Sequence, residues 1–217
     1  DLQGLVPEMK WKSKDMEEDF MNPPVERETK PIVEKEPNLI VLDIEVAPNV
    51  LLIVWKPLGE GKHLTRMINP TQAEVEALMD QYDWIGHNVR KYDNHIIHGR
   101  AIGYSNEGCY NLSKRIIVDK DNSAFFASSY REHYADTLEY PVKKQGLKKW
   151  EIELKLPHKE MDVDWTKPIP PELWDKLCEY CENDVLATEA VWNATQDDFK
   201  AREIEIGRAV QQECRDR

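Results

Sequence analysis

The run Leu39-Ile40-Val41-Leu42, leading into Asp43-Ile44-Glu45, constrains this chain more than any other feature. Four apolar residues in a row predict a buried strand. Side chains alternate along a strand, so Asp43 and Glu45 project together while Ile44 points the other way. Two carboxylates at the tip of a buried strand are costly unless something positive sits between them. A divalent metal ion is the usual solution, which makes this strand ending a candidate active site.

The surrounding pattern predicts one mixed sheet flanked by helices. Residues 38–45 read as the first strand, and 50–55 and 63–68 as two more, with turns at Ala47-Pro48-Asn49 and across 57–61. A helix over 73–79 follows, with Thr71 as its cap and Glu74 three residues on. Trp84-Ile85-Gly86-His87 reads as a fourth strand and 134–138 as a fifth. Helices are expected over 94–102, ended by Gly103, over 110–118, and shortly after Gly146. The last is a long helix from Pro171 to about Ala194, with Leu173, Leu177, Cys181, Val185 and Trp192 on one face. Residues 1–37 are charged and punctuated by proline, as in an extended arm or linker that Trp11, Phe20 and Met21 could anchor. Residues 199–217 read as helical without a clear ending.

Two further acidic positions follow the first pair along the chain. Asp93 follows the fourth strand, at or near a helix start. Asp184 lies on the long helix in line with its apolar stripe, and Tyr180, four residues earlier, shares its face. Taken singly, each has an ordinary explanation. Asp93 could be a helix cap, Asp184 the partner of a nearby lysine, and Tyr180 an amphipathic residue at the core edge. Asp136, on the fifth strand, is a weaker competing ligand. Cys178-x2-Cys181 has no second pair at zinc spacing, so it reads as two buried structural cysteines. His95-x2-His98 reads as a coincidence of one helix face.

The order of these motifs resembles a known family. Asp-x-Glu on a first strand, a middle Asp after the fourth, and Tyr-x3-Asp on a late helix is the pattern of DEDDy 3′–5′ exonucleases. These are the proofreading domains of family A DNA polymerases and their relatives. The wider stretch looks most like the exonuclease portion of a bacteriophage family A polymerase. Tyr92-Asp93-Asn94-His95-Ile96-Ile97, Gly146-Leu147-Lys148-Lys149-Trp150-Glu151 and the segment from Glu179 to Val185 carry that likeness, which covers about residues 38–203. One spacing departs. Bacterial polymerases of this class have three residues between an Asn and the middle Asp, whereas four separate Asn88 from Asp93 here.

The resemblance implies an α/β, ribonuclease H-like domain with a mixed five-stranded sheet over 38–203. The flanking stretches lie outside the likeness and are read from composition alone: an extended arm or linker at 1–37, and a helical extension at 204–217 that could lead to a polymerase domain. Asp43, Glu45, Asp93 and Asp184 would hold two divalent cations, Mg²⁺ or Mn²⁺, with Asp43 bridging both. Tyr180 would orient the attacking water, and Asn88, Tyr92 and Lys148 would contact the strand. The expected substrate is a single-stranded or frayed DNA 3′ end, released as nucleoside 5′-monophosphates. The expected partner is a DNA polymerase domain or subunit. A ribonuclease D-like RNA exonuclease and a non-catalytic replication module are the alternatives.

Charge repulsion supports the metal expectation independently. Two carboxylates about 5 Å apart repel by roughly 3 kcal/mol at an effective dielectric of about 20. Four so placed would consume much of the ~5–15 kcal/mol that holds a domain together. All-oxygen ligation suits Mg²⁺ or Mn²⁺ rather than zinc.

Composition bounds the rest. A net charge of −12 argues against indiscriminate nucleic-acid binding. Local basic clusters remain at Lys143, Lys144, Lys148 and Lys149, at Arg90-Lys91 and at Lys114-Arg115, and each reads equally well as solvated surface. Four cysteines are too few for a disulfide scaffold and fit a reducing compartment. No signal peptide or membrane span is visible, so a cytoplasmic location, the host cytoplasm for a phage product, is expected. A first residue of Asp suggests a segment of a longer protein.

Overall fold

The computed structural model describes residues 38–59 and 61–201. The expected arm at 1–37 and the extension beyond 201, including Cys214, lie outside the described residues. The described chain is α/β, with a five-stranded mixed sheet in the order β3-β2-β1-β4-β5. That order is compatible with a ribonuclease H-like fold.

β1 (Leu39–Ala47) is the central strand. It forms an antiparallel hairpin with β2 (Val50–Pro57), which pairs in turn with β3 (Thr65–Ile68). On its other side β1 runs parallel to β4 (Asp83–Gly86), and β4 parallel to β5 (Tyr134–Asp136). The β1–β4 ladder covers only Leu39, Ile40 and Val41. From Leu42 onward β1 has no strand on that edge, so its polar end faces loops and helices instead.

The helices are α1 (Gln72–Gln81), α2 (Asp93–Ala101), α3 (Asn106–Ile117), α4 (Leu147–Leu154) and α5 (Trp174–Ala194). Residues 196–201 are also helical. The alternation of β1 divides two cores. Ile40, Leu42, Ile44 and Val46 pack with Val75, Ile96, Ile97 and Leu112 from α1, α2 and α3. Val41 and Ala47 pack on the opposite face with Leu177, Cys178, Cys181 and Val185 of α5. Asp43 and Glu45 therefore belong to the face that α5 covers. A buried ion pair fixes the same docking: Lys56 of β2 meets Glu189 of α5 at 2.5 Å, and both atoms of the Glu189 carboxylate are engaged, the second by the Gly59 amide.

Every element expected within the described residues exists, although the long helix expected from Pro171 opens as a 3₁₀ turn over Pro171–Leu173 before α5 begins at Trp174. β1 continues to Ala47 because a two-residue turn lets Ala47 pair directly with Val50. α3 begins at Asn106, four residues before the expected start, because the Ser105 hydroxyl caps it by accepting the Gly108 amide. β5 stops at Asp136, whose carboxylate accepts the Leu138 amide at 2.8 Å and turns the chain out of the sheet. α1 has the expected capping box between Thr71 and Glu74.

Candidate metal centre

Three separate elements aim acidic side chains at the open end of β1. Asp43 and Glu45 come from β1 itself. Asp93 is the first residue of α2, not its cap: Tyr92 occupies that position and makes no side-chain cap bond. Asp184 comes from the middle of α5, one turn after Tyr180.

The tightest grouping is Asp43, Glu45 and Cys181, each with one ligand-capable atom within 4.8 Å of the others. The Cys181 thiol donates to Asp43 Oδ2 at 3.4 Å. Cys178 and Cys181 are both buried and free, so the structure places them in the core beneath the sheet, as the spacing suggests. It also adds what the spacing does not: Cys181 is a neighbour of the carboxylates. Asp93 and Asp184 stand outside this closest group yet share its field.

The electrostatics of the four carboxylates run in one direction. Withdrawal from water pushes the Asp43 carboxyl well above its usual range, and the charges of Asp93, Glu45 and Asp184 push it further. Glu45 is raised in the same way by burial, Asp184 and Asp93. Asp93, only 4 % exposed, is pushed up to about 7 by burial, although its own amide and that of Ile44 favour the anion. The Ile44 amide lies on the β1 edge that β4 has left. Asp184 is pushed up to about 6 by burial and by the charge of Glu151, with Asn183 and Tyr180 opposing. Among the described residues, no Lys, Arg or His forms a salt bridge with any of the four.

Converging carboxylates without a cationic partner are the donor set that a hard divalent ion relieves. The residues present fit Mg²⁺ or Mn²⁺, and the adjacent thiol is a softer donor at the margin of the same cluster.

Tyr180 is half-buried, and burial together with the charges of Asp184, Glu45 and Asp43 pushes its hydroxyl upward, so it stays protonated. Trp165 packs near it at a ring separation of 6.4 Å. Two hollows open beside the cluster. One of about 240 Å³ lies against Glu45, Tyr92, Tyr110 and Trp165, with Ile117 and Val118 on its wall. The other, of about 390 Å³, lies against Tyr180 between the 159–163 segment and the start of α5.

The remaining expected residues are distributed as follows. Tyr92 lines the first hollow, but its hydroxyl is engaged with Ser113 Oγ at 2.7 Å. Asn88 adopts a left-handed backbone at φ 64° and donates its amide to Asp136 Oδ1. A short 3₁₀ turn over Val89–Lys91 accommodates the longer spacing between Asn88 and Asp93. Asp136, 2 % exposed, accepts the amides of Asn88, Arg90 and Leu138. Those bonds make it an anchor for the turn that leads into Asp93. Lys148 pairs with Glu160 at 3.0 Å and lies near enough to Asp184 to favour its anion. Lys143, Arg90 and Arg115 also have carboxylate partners, in Glu153, Glu139 and Asp121, so much of the basic surface is internally balanced. His95 is a core histidine: its Nδ1 meets Ser129 Oγ at 2.8 Å, and Phe125 and Tyr130 pack edge-on against the ring.

Sequence reasoning missed Glu151 and Asn183. Glu151 is 1 % exposed on α4, and Asn183 donates to it at 2.7 Å. A glutamate in a Lys-rich amphipathic helix looks like surface, so nothing local marks it as buried. No family model, curated protein or solved structure matches the chain.

Proposed function

We propose that this chain is a metal-dependent 3′–5′ exonuclease acting on single-stranded or frayed DNA ends, and that it proofreads for a DNA polymerase on the same chain or on a partner. The observation that carries the reading is the convergence of Asp43, Glu45, Asp93 and Asp184, with Tyr180 one helical turn before Asp184. The net charge of −12 favours a division of labour in which a partner grips the duplex and this domain receives the frayed end.

Asp43, Glu45, Asp93 and Asp184 would hold the divalent cations. Bound there, such ions supply positive charge that lowers the pKa of water and stabilises charge on the phosphodiester oxygens. The chain's own groups do the rest. Tyr180 keeps its proton and directs it toward Asp184, which leaves the hydroxyl oxygen to accept from and orient the attacking water. The hollow beside Glu45 receives the terminal nucleotide, with Tyr110 and Trp165 as aromatic walls for a base and Glu45 beside the sugar.

The test is incubation with 5′-labelled single strands of DNA and RNA, in Mg²⁺, Mn²⁺ or EDTA. Stepwise shortening that needs metal and disappears in Asp43→Ala and Asp184→Ala is expected. Shortening that persists in both variants, or none at all, defeats the reading. A strong preference for RNA reassigns the substrate.

A further inference from the structure

Glu151 is a carboxylate removed from water for no reason that the proposed chemistry supplies. It is 1 % exposed, yet neither a candidate ligand nor part of the sheet core. A buried charge is retained only where dedicated partners satisfy it, and Glu151 has two. Its Oε1 accepts the Asn183 side-chain amide at 2.7 Å, and its Oε2 meets His158 Nδ1 at 2.6 Å. Asn183 directly precedes Asp184 on α5. His158 lies in the 155–166 segment, which runs past Tyr180 and places Trp165 against it. The far side of His158 meets Glu160 at 3.3 Å, and Glu160 is tied to Lys148 of α4. The Leu156 amide also returns to the Glu151 carbonyl at 2.8 Å.

We propose that Glu151 is a positioning residue that joins the 155–166 segment to the stretch of α5 bearing Tyr180 and Asp184, and so sets how firmly Asp184 is presented to a divalent cation. The inference rests on the metal-centre reading above. One oxygen orients Asn183, which fixes the backbone beside Asp184. The other holds His158, which keeps Trp165 and the wall of the larger hollow in place. Supporting groups of this kind hold metal ligands at the angle where they bind best.

The experiment uses the full chain and two readouts that do not need catalysis. Mn²⁺ binding is measured from the loss of the free-ion paramagnetic resonance signal. Trypsin cleavage at Lys155 and Lys159 is followed by mass spectrometry. Glu151→Ala should weaken Mn²⁺ binding by ~10-fold, the lower end for loss of a supporting partner, and should speed cleavage of the segment. Glu151→Gln, which keeps the shape and the bond from Asn183, should recover most of the Mn²⁺ affinity. His158→Ala should speed cleavage while changing Mn²⁺ affinity far less. Glu153→Ala, on the same helix but exposed, should change neither.

Wild-type Mn²⁺ affinity in a folded Glu151→Ala protein overturns the proposal. So does a Glu151→Gln protein as impaired as the alanine variant. If Glu151→Ala does not fold, Asn183→Ala probes the same link from α5, and undiminished Mn²⁺ binding there overturns it equally. A wild-type protein that binds Mn²⁺ but shortens no nucleic acid defeats the exonuclease reading and leaves this inference standing.

Discussion

At Asp43, desolvation and three neighbouring carboxylates all favour the neutral acid, and only the Cys181 thiol opposes them. A residue chosen for stability alone would not sit there. On the proposed reading, the site gives up folding free energy to keep a geometry that a cation can bind, as functional centres commonly do. Asp43→Asn should therefore raise the Tm of the chelated protein near neutral pH while abolishing the Tm increase on adding Mn²⁺. Activity should fall by roughly 10²–10⁴-fold, the range for loss of a positioned catalytic group. Scanning calorimetry with EDTA and with Mn²⁺ checks the first half, and an unchanged or lower Tm in EDTA would show that the carboxylates do not strain the fold. Tyr180 is a different case. Its face and its spacing from Asp184 follow from helical periodicity, but the upward push on its hydroxyl comes first from burial and then from the charges of Asp184, Glu45 and Asp43, and neither its burial nor the approach of β1 is reported by a local pattern.

At the scale of elements, the end of β4 decides where Asp93 goes. Gly86 closes the strand, and the chain turns back so sharply that a Cβ on Gly86 would lie 2.7 Å from Val89 Cβ. The 3₁₀ turn can pack there only over a glycine. Asp136 then secures the turn from the neighbouring strand with its bonds to the Asn88 and Arg90 amides. Gly86→Ala should cost about 1–3 kcal/mol, as overpacking in a filled core does, and should weaken metal-dependent activity by displacing Asp93. Urea denaturation measures the first effect. An unchanged midpoint would mean that the turn yields without resistance. α5 illustrates the opposite situation. Its stripe of Leu177, Cys181 and Val185 is plain in the sequence, and the structure uses that stripe to cover Val41 and Ala47.

For the molecule as a whole, the raised carboxyls set a pH dependence with a definite sign. Asp93 is pushed up to about 7 and Asp184 to about 6, against 3.8 for an ordinary aspartate. Between those limits the folded protein holds protons that the unfolded chain has already released. The contribution of these two carboxyls to stability without metal must then fall as pH rises from about 4 to about 7, while buried His95, pushed down to about 4, contributes in the opposite sense over the lower part of that range. A divalent ion that binds the ionised folded form reverses the penalty, adding about 2.7 kcal/mol at a hundredfold excess over Kd. The expected result is a gap between the Tm in saturating Mn²⁺ and the Tm in EDTA that widens as pH rises across this window. Parallel curves in the two conditions would argue that the cluster does not bind the ion. Among the described residues, no helix is long and apolar enough to cross a membrane.

The local periodicities of the chain determined a good deal by themselves. A two-residue repeat put Asp43 and Glu45 on one face of a buried strand, and a four-residue spacing put Tyr180 over Asp184, because both depend only on the geometry of a single element. Five strands and the helices between them were legible for the same reason, and their order along the chain implied a mixed sheet. Only the tertiary structure decided which faces meet. Cys181 touches Asp43 across 138 residues, and Asn183 reaches Glu151 across 32. It was likewise tertiary structure that made Asp136 an anchor and drew Arg90, Arg115, Lys143 and Lys148 into ion pairs. Those partnerships follow from strand order and helix docking, which are fixed by burial summed over the whole core, and a residue's own neighbours in sequence carry no record of them.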